Sequence, residues 1–139
     1  MSTSRKAIRI DLSSAIPVYR QIADQIRAML VARDFNPGER LPTVRQVAVD
    51  LGVNHNTVAE AYRNLAEEGW LSLERGRGAL VVSRSTPVAN PKVRNAFAQR
   101  LRNLIAQVRA AGVPPQVIRS EFEEAATALL GREGKGSGR

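Results

Sequence analysis

The sequence predicts a mainly α-helical chain with a small β wing: an N-terminal winged helix-turn-helix plus a C-terminal two-helix dimerisation hairpin. Three observations carry that expectation. Two short apolar-striped stretches, Thr43 to Leu51 and Asn54 to Leu65, stand on either side of Gly52, which is helix-turn-helix spacing. Two short runs, Trp70 to Glu74 and Ala79 to Ser83, flank Arg75-Gly76-Arg77-Gly78 and read as a hairpin with a basic, glycine-rich tip. Finally, Lys92 to Ala111 and Val113 to Leu130 carry apolar stripes separated by Gly112 and Pro114-Pro115.

Taken in chain order, Ile8-Arg9-Ile10 alternates like a very short strand. Pro17 is expected to open a helix from its first position. Val18, Ile22, Ile26 and Met29/Leu30 then recur at three- and four-residue steps, and Asn36-Pro37-Gly38 stops the run. Thr43-Val44-Arg45-Gln46 has the form of a capping box for a short helix buried through Val44, Val47, Ala48 and Leu51. Gly52, able to turn left-handed, ends it. Asn54 is a good N-cap for the next helix, whose inner stripe is Val58, Ala61, Tyr62 and Leu65 and which Gly69 closes. The expected organisation is a winged helix-turn-helix DNA-binding domain over 8–83, a polar linker over 84–91, a two-helix dimerisation or effector segment over 92–130, and a disordered tail over 131–139.

Composition narrows the chemistry. Apolar content is 43% and aromatic content only 4%, which argues for one compact core and against a large enclosed ligand cavity. The absence of cysteine excludes disulfides, thiolate metal sites and cysteine nucleophiles. The N-terminus lacks an apolar signal core, and no apolar run approaches the ~20 residues needed to cross a bilayer, so a soluble intracellular protein is expected. A net charge of +8 points to a polyanionic partner, nucleic acid before membrane.

The only histidine, His55, sits between Asn54 and Asn56 at the start of the second helix of the pair. With no second histidine or any cysteine to join it, a metal site is not expected, and no catalytic set or cofactor motif stands out. A recognition helix enters the major groove N-terminus first, which would set Asn54, His55, Asn56 and Thr57 nearest the base edges. Asn pairs well with adenine, and Thr meets a thymine methyl or a phosphate. The bland reading stands beside this one: Asn54 is a helix cap first, and the others are solvated surface. Arg45, in the exposed first turn of the preceding helix, is a candidate phosphate contact. Arg75, Gly76 and Arg77 suit a wing tip touching the minor groove or backbone. Trp70 reads as core, and Gly76-Arg77-Gly78 joins two strands, so it is no dinucleotide fingerprint.

The stretch Ile16 to Val82 resembles the GntR family of bacterial transcription regulators. The marks are Pro17-Val18-Tyr19-Arg20-Gln21-Ile22, Pro37-Gly38-Glu39-Arg40-Leu41-Pro42, Asn54-His55-Asn56-Thr57-Val58 and Gly76-Arg77-Gly78, in the family's order. The short C-terminal segment looks like the YtrA subfamily, whose members commonly control ABC-transporter operons. The resemblance implies DNA contacts at Arg45, His55, Asn56, Thr57, Arg75 and Gly76. Some members carry arginines where this chain has His55 and Ala59, so their base readout does not transfer.

Together these readings predict a DNA-binding transcription regulator, a repressor without catalysis. It would act as a cytoplasmic homodimer, nucleoid-associated when bound to a near-palindromic double-stranded operator. Phe97, Leu101, Leu104, Ile105 and Val108 on one helix, with Val117, Ile118, Phe122 and Leu129 on the next, are the dimerisation candidates. Any small-molecule effector is expected at the dimer seam or between domains.

Overall fold

The computed structural model describes residues 7–75, 78–88 and 90–131. The elements run α1 (Val18–Val31), α2 (Val44–Leu51), α3 (His55–Glu67), β1 (Leu71–Glu74), β2 (Gly78–Val81), α4 (Pro91–Ala110) and α5 (Pro115–Leu130). The chain divides between Arg84 and Ser85 into two units. The expected tail beyond Gly131 lies outside the described residues.

In the N-terminal unit, α1 is helical because its apolar residues recur on one face, and Ile22, Ala23, Ile26, Met29 and Leu30 are buried there. Pro17 stands one position earlier than expected: it is the N-cap, with an extended backbone, and Val18 is the first helical residue. Nor does α1 reach Asn36-Pro37-Gly38. It closes at Ala32 and Arg33, where Arg33 takes φ 65° and the Asp34 N–H donates back to the Met29 carbonyl. A left-handed non-glycine residue costs about 1–2 kcal/mol; the early stop lets Phe35, 5% exposed, fold into the core.

Ile8 and Ile10 pack against the core, but their segment is not a strand. Its backbone partners are two side chains of α1. Gln25 Oε1 accepts from the Arg9 N–H at 2.8 Å while its amide donates to the Arg9 carbonyl. Gln21 does the same for Asp11, at 2.9 and 3.0 Å. The alternation was real; the partner is glutamine. Just beyond, hydrogen bonds from the Ser13 hydroxyl and N–H hold the Asp11 carboxyl below its ordinary pKa.

β1 and β2 pair antiparallel, Leu71 opposite Val81 and Glu74 opposite Gly78. Both are shorter than expected, because Trp70 precedes the ladder and Val82 and Ser83 follow it. The segment 38–41 adds a third, irregular edge: the Val81 N–H donates to the Glu39 carbonyl at 2.8 Å, and the Leu41 N–H to the Ala79 carbonyl at 3.0 Å. The core gathers the inner faces of α1, α2, α3 and the hairpin, with Ile22, Val58, Ala61 and Leu65 fully buried.

In the C-terminal unit, Asn90 caps α4 by accepting from the Val93 N–H at 3.0 Å. α4 ends at Ala111 and left-handed Gly112, where the Val113 N–H reaches back to the Val108 carbonyl. α5 begins at Pro115, two residues after the expected Val113. No residue of either helix is buried. Leu101, Ile105, Val108 and Ile118 are half-buried, whereas Phe97 stays 64% and Leu104 53% exposed. The backbones of the two helices come close at few points, and the stripes are covered only in part within this chain.

Candidate nucleic-acid interface

The helix-turn-helix owes its geometry to three local devices. Thr43 Oγ1 accepts from the Gln46 N–H at 3.1 Å and starts α2. Gly52, at φ 67°, turns the chain left-handed at its end, where the Val53 N–H returns to the Ala48 carbonyl. Asn54 Oδ1 then accepts from the Asn56 N–H at 2.7 Å and starts α3. Val58, Ala61, Tyr62 and Leu65 fix the rotation of α3 about its axis by burying that stripe. The opposite side, which begins at His55 and Asn56, faces water.

The capping oxygen of Asn54 is thus already engaged, leaving its amide nitrogen as the free polar group. His55 and Asn56 are exposed and Thr57 is half-buried. The Asn56 N–H is taken by the Asn54 cap and the Thr57 N–H by the Asn54 carbonyl, but the positive end of the α3 dipole still favours an anion here.

Arg45 is exposed in the first turn of α2. Arg45 and His55 line one shallow depression together with Val49, Gly52 and Val53. On the other side of α3, Ala59 and Arg63 line a groove shared with Leu73, Glu74, Arg75 and Gly78 of the hairpin. The first turn of α2, the outer face of α3 and the base of the wing are therefore brought together around one helix. Gly76 and Arg77 lie outside the described residues.

Two residues of this surface escape the motif-based reading. Arg63 follows Asn56 by two helical turns and Ala59 by one, so helical periodicity alone would have found it. Val49 is 75% exposed beside Arg45; an apolar side chain on the outer face of an amphipathic helix was the available signal. Arg40 Nη2 approaches Glu74 Oε2 at 3.8 Å, a contact between half-exposed groups that contributes little to stability.

The C-terminal end of α3 is anchored by charge. Arg27 of α1 forks onto Glu68, with Nε to Oε1 at 3.0 Å and Nη2 to Oε2 at 2.7 Å, and also reaches Asp24. The pairing with Glu68 raises the Arg27 pKa further above its ordinary value. Arg84 donates Nε to the Glu68 carbonyl and lays its guanidinium 4.6 Å from the Trp70 ring centroid. Trp70 is half-buried against the core, with that face already occupied.

Among the described residues no group of His, Cys, Asp or Glu side chains clusters in a way that would hold a metal ion. No described helix is long and apolar enough to cross a membrane.

Comparison with known proteins gives the family. Residues 18–81 match the family described as bacterial regulatory proteins, gntR family. The HTH-type transcriptional repressor YtrA of Bacillus subtilis is 30% identical over 124 residues, spanning 89% of this chain and 95% of that protein. This chain belongs to the GntR family. Among solved structures, YtrA from Sulfolobus acidocaldarius, a GntR-family transcription factor, is 36% identical with a TM-score of 0.53, covering 74% of this chain and 97% of that one. A transcriptional antiterminator from Listeria monocytogenes EGD-e is 25% identical with a TM-score of 0.66, covering 96% of this chain and all of that one. The similarity to YtrA runs through the short C-terminal segment as well as the winged helix, so the YtrA subfamily is its place within the GntR family. As a GntR-family member the chain is a DNA-binding transcription regulator and not an enzyme.

Proposed function

We propose that this regulator is a homodimeric repressor that acts in the cytoplasm, associated with the nucleoid when bound to a near-palindromic double-stranded operator, and that it governs an ABC-transporter operon. The single observation carrying the DNA-facing part is the open N-terminal end of α3. His55 lines a depression with Arg45 there and Asn56 is exposed next to it in the chain, with Arg63 and Arg75 following along the same helix and wing. In this reading Asn56 and Thr57 meet base edges, and His55 and the amide of Asn54 serve bases or phosphates. Arg45, Arg63, Arg75 and the tip residues Gly76 and Arg77 grip the backbone.

The division of labour is a DNA-binding domain over 8–83, a linker over 84–91 and a dimerisation segment over 92–130. The supporting feature is the unburied stripe through Phe97, Leu101, Leu104, Ile105 and Val108 on α4 and Val117, Ile118, Phe122 and Leu129 on α5. A second copy is the natural cover for a stripe of this kind. α4 carries Lys92, Arg94, Arg100, Arg102 and Arg109 with no acid, while α5 carries Glu121, Glu123 and Glu124 against Arg119. Opposite charge favours α4 of one copy against α5 of the other. Two joined DNA-binding units then meet half-sites about 34–36 Å apart, or a multiple of that.

The decisive experiment compares binding of the full chain to its own promoter fragment and to random DNA of equal length. A specific-to-nonspecific ratio on the order of 10³ or more is expected of an operator-binding repressor. A ratio near one would remove sequence-specific repression and leave a general DNA-coating protein.

A further inference from the structure

Behind α2, on the side away from Arg45, the N-terminal unit contains a cavity of about 300 Å³. Its walls are side chains that also make the core: Met29 from α1, Phe35 and Leu41 from the connection, Val47 from α2 and Tyr62 from α3. Three exposed residues, Ala7, Gln46 and Asp50, edge it. Gln46 and Asp50 stand one turn apart on α2, and no ion pair engages Asp50 among the described residues.

We propose that this cavity is a binding site for a small apolar molecule bearing a cationic group. The walls choose the body of the ligand. A half-open pocket with apolar walls takes up apolar groups, which displace loosely held water from it. At roughly 30 Å³ for a water-sized group, it accommodates on the order of ten non-hydrogen atoms. That is the size of a monocyclic aromatic or a short branched aliphatic chain, and too small for a peptide helix. The rim chooses the charge. The carboxylate of Asp50, with the Gln46 amide beside it, attracts an ammonium group and repels a carboxylate. The site lies within the N-terminal unit. Its occupant would touch α2 and Tyr62, the elements that set Arg45 relative to α3.

The test uses the full chain labelled at its methionine methyl groups. Met29 is one of only two methionines, the other being Met1, so its signal is readily assigned. Benzylamine, toluene and phenylacetate share a ring and differ in charge. Benzylamine should move the Met29 methyl resonance saturably and bind more tightly than toluene by roughly two- to fivefold, the value of an exposed ion pair. Phenylacetate should bind more weakly than either. In Asp50→Asn, an exposed change that leaves the apolar walls intact, benzylamine should fall to the affinity of toluene. A Met29 signal indifferent to all three compounds overturns the site. Saturable binding in which charge makes no difference, or the same preference for benzylamine in Asp50→Asn, overturns the cationic class. None of these readouts involves DNA, so they stand or fall separately from the operator-binding proposal.

Discussion

Replacing Tyr62 by Phe removes one oxygen from the centre of the N-terminal unit. Tyr62 is 2% exposed, and its hydroxyl donates to the Pro42 carbonyl, immediately before the Thr43 cap of α2. The ring would stay in place, so the loss is that of one hydrogen bond plus a carbonyl without its partner. Such a change costs about 1–2 kcal/mol. The lower end is expected because Pro42 is only half-buried, so water reaches the freed oxygen. For a unit of this size each kcal/mol moves the melting midpoint by roughly 4–8 °C. Burial also pushes the phenol pKa far above its ordinary value. A folded state that holds its proton more tightly than the unfolded chain has the full benefit below pH ~10 and loses it as the pH rises beyond that value. The loss reaches at most about 1.4 kcal/mol per pH unit for the single proton. Thermal melts of wild type and Tyr62→Phe between pH 7 and 11 test both parts. At pH 7 the variant should melt several degrees lower, and above pH 10 the gap should narrow, because only wild type carries the buried Tyr62 hydroxyl. Coincident melts at pH 7, or curves that stay parallel above pH 10, would refute the reasoning.

The DNA-facing surface and the α4–α5 stripe make three further predictions. Arg45→Ala, Arg63→Ala and Arg75→Ala should each weaken binding to operator and random DNA alike and reduce the log-log salt slope by about 0.9; an unchanged slope removes that residue from the backbone contact. Asn56→Ala and Thr57→Ala should instead lower discrimination between the two DNAs by roughly 1–3 kcal/mol, and equal losses on both would make them backbone contacts. A chain ending at Ser85, or Leu104→Asp in the full chain, should sediment as a monomer and hold only a half-site, weakly. If either remains a dimer with full operator affinity, the α4–α5 stripe is not the dimer contact.

The local devices of the helix-turn-helix were legible because each depends on residues within four positions of one another. Thr43 with Gln46, Gly52 after Leu51, and Asn54 with Asn56 all act inside a single turn. The inner stripe of α3 was equally plain, and all four of its residues are buried. What escaped was decided at a distance. Ile8-Arg9-Ile10 alternates as a strand should, yet the backbone of Arg9 is satisfied by the Gln25 side chain 16 residues away, and that of Asp11 just beyond by Gln21, ten residues away. The segment 38–41 joins the hairpin as a third edge although Pro37 and Pro42 enclose it; prolines mark edges as well as turns. The end of α1 was hidden because an arginine, not a glycine, takes the left-handed position.

The same contrast divides the functional surface. Motif position points to the start of α3 as the proposed contact, and Arg63 joins that proposed set only once the rotation of α3 is fixed by Val58, Tyr62 and Leu65 on the inside. Burial of one stripe therefore selects the recognition face by exclusion. It turns Ala59 and Arg63 toward the wing, where Arg75 meets the same groove. In the proposed complex the arginines there would meet phosphate, so the chain would grip DNA through its periphery and discriminate through the short polar side chains of the first α3 turn. With His55 and Ala59 standing where some relatives carry arginine, sequence discrimination would have to come from Asn56, Thr57 and the shape of the groove rather than from arginine–guanine pairs.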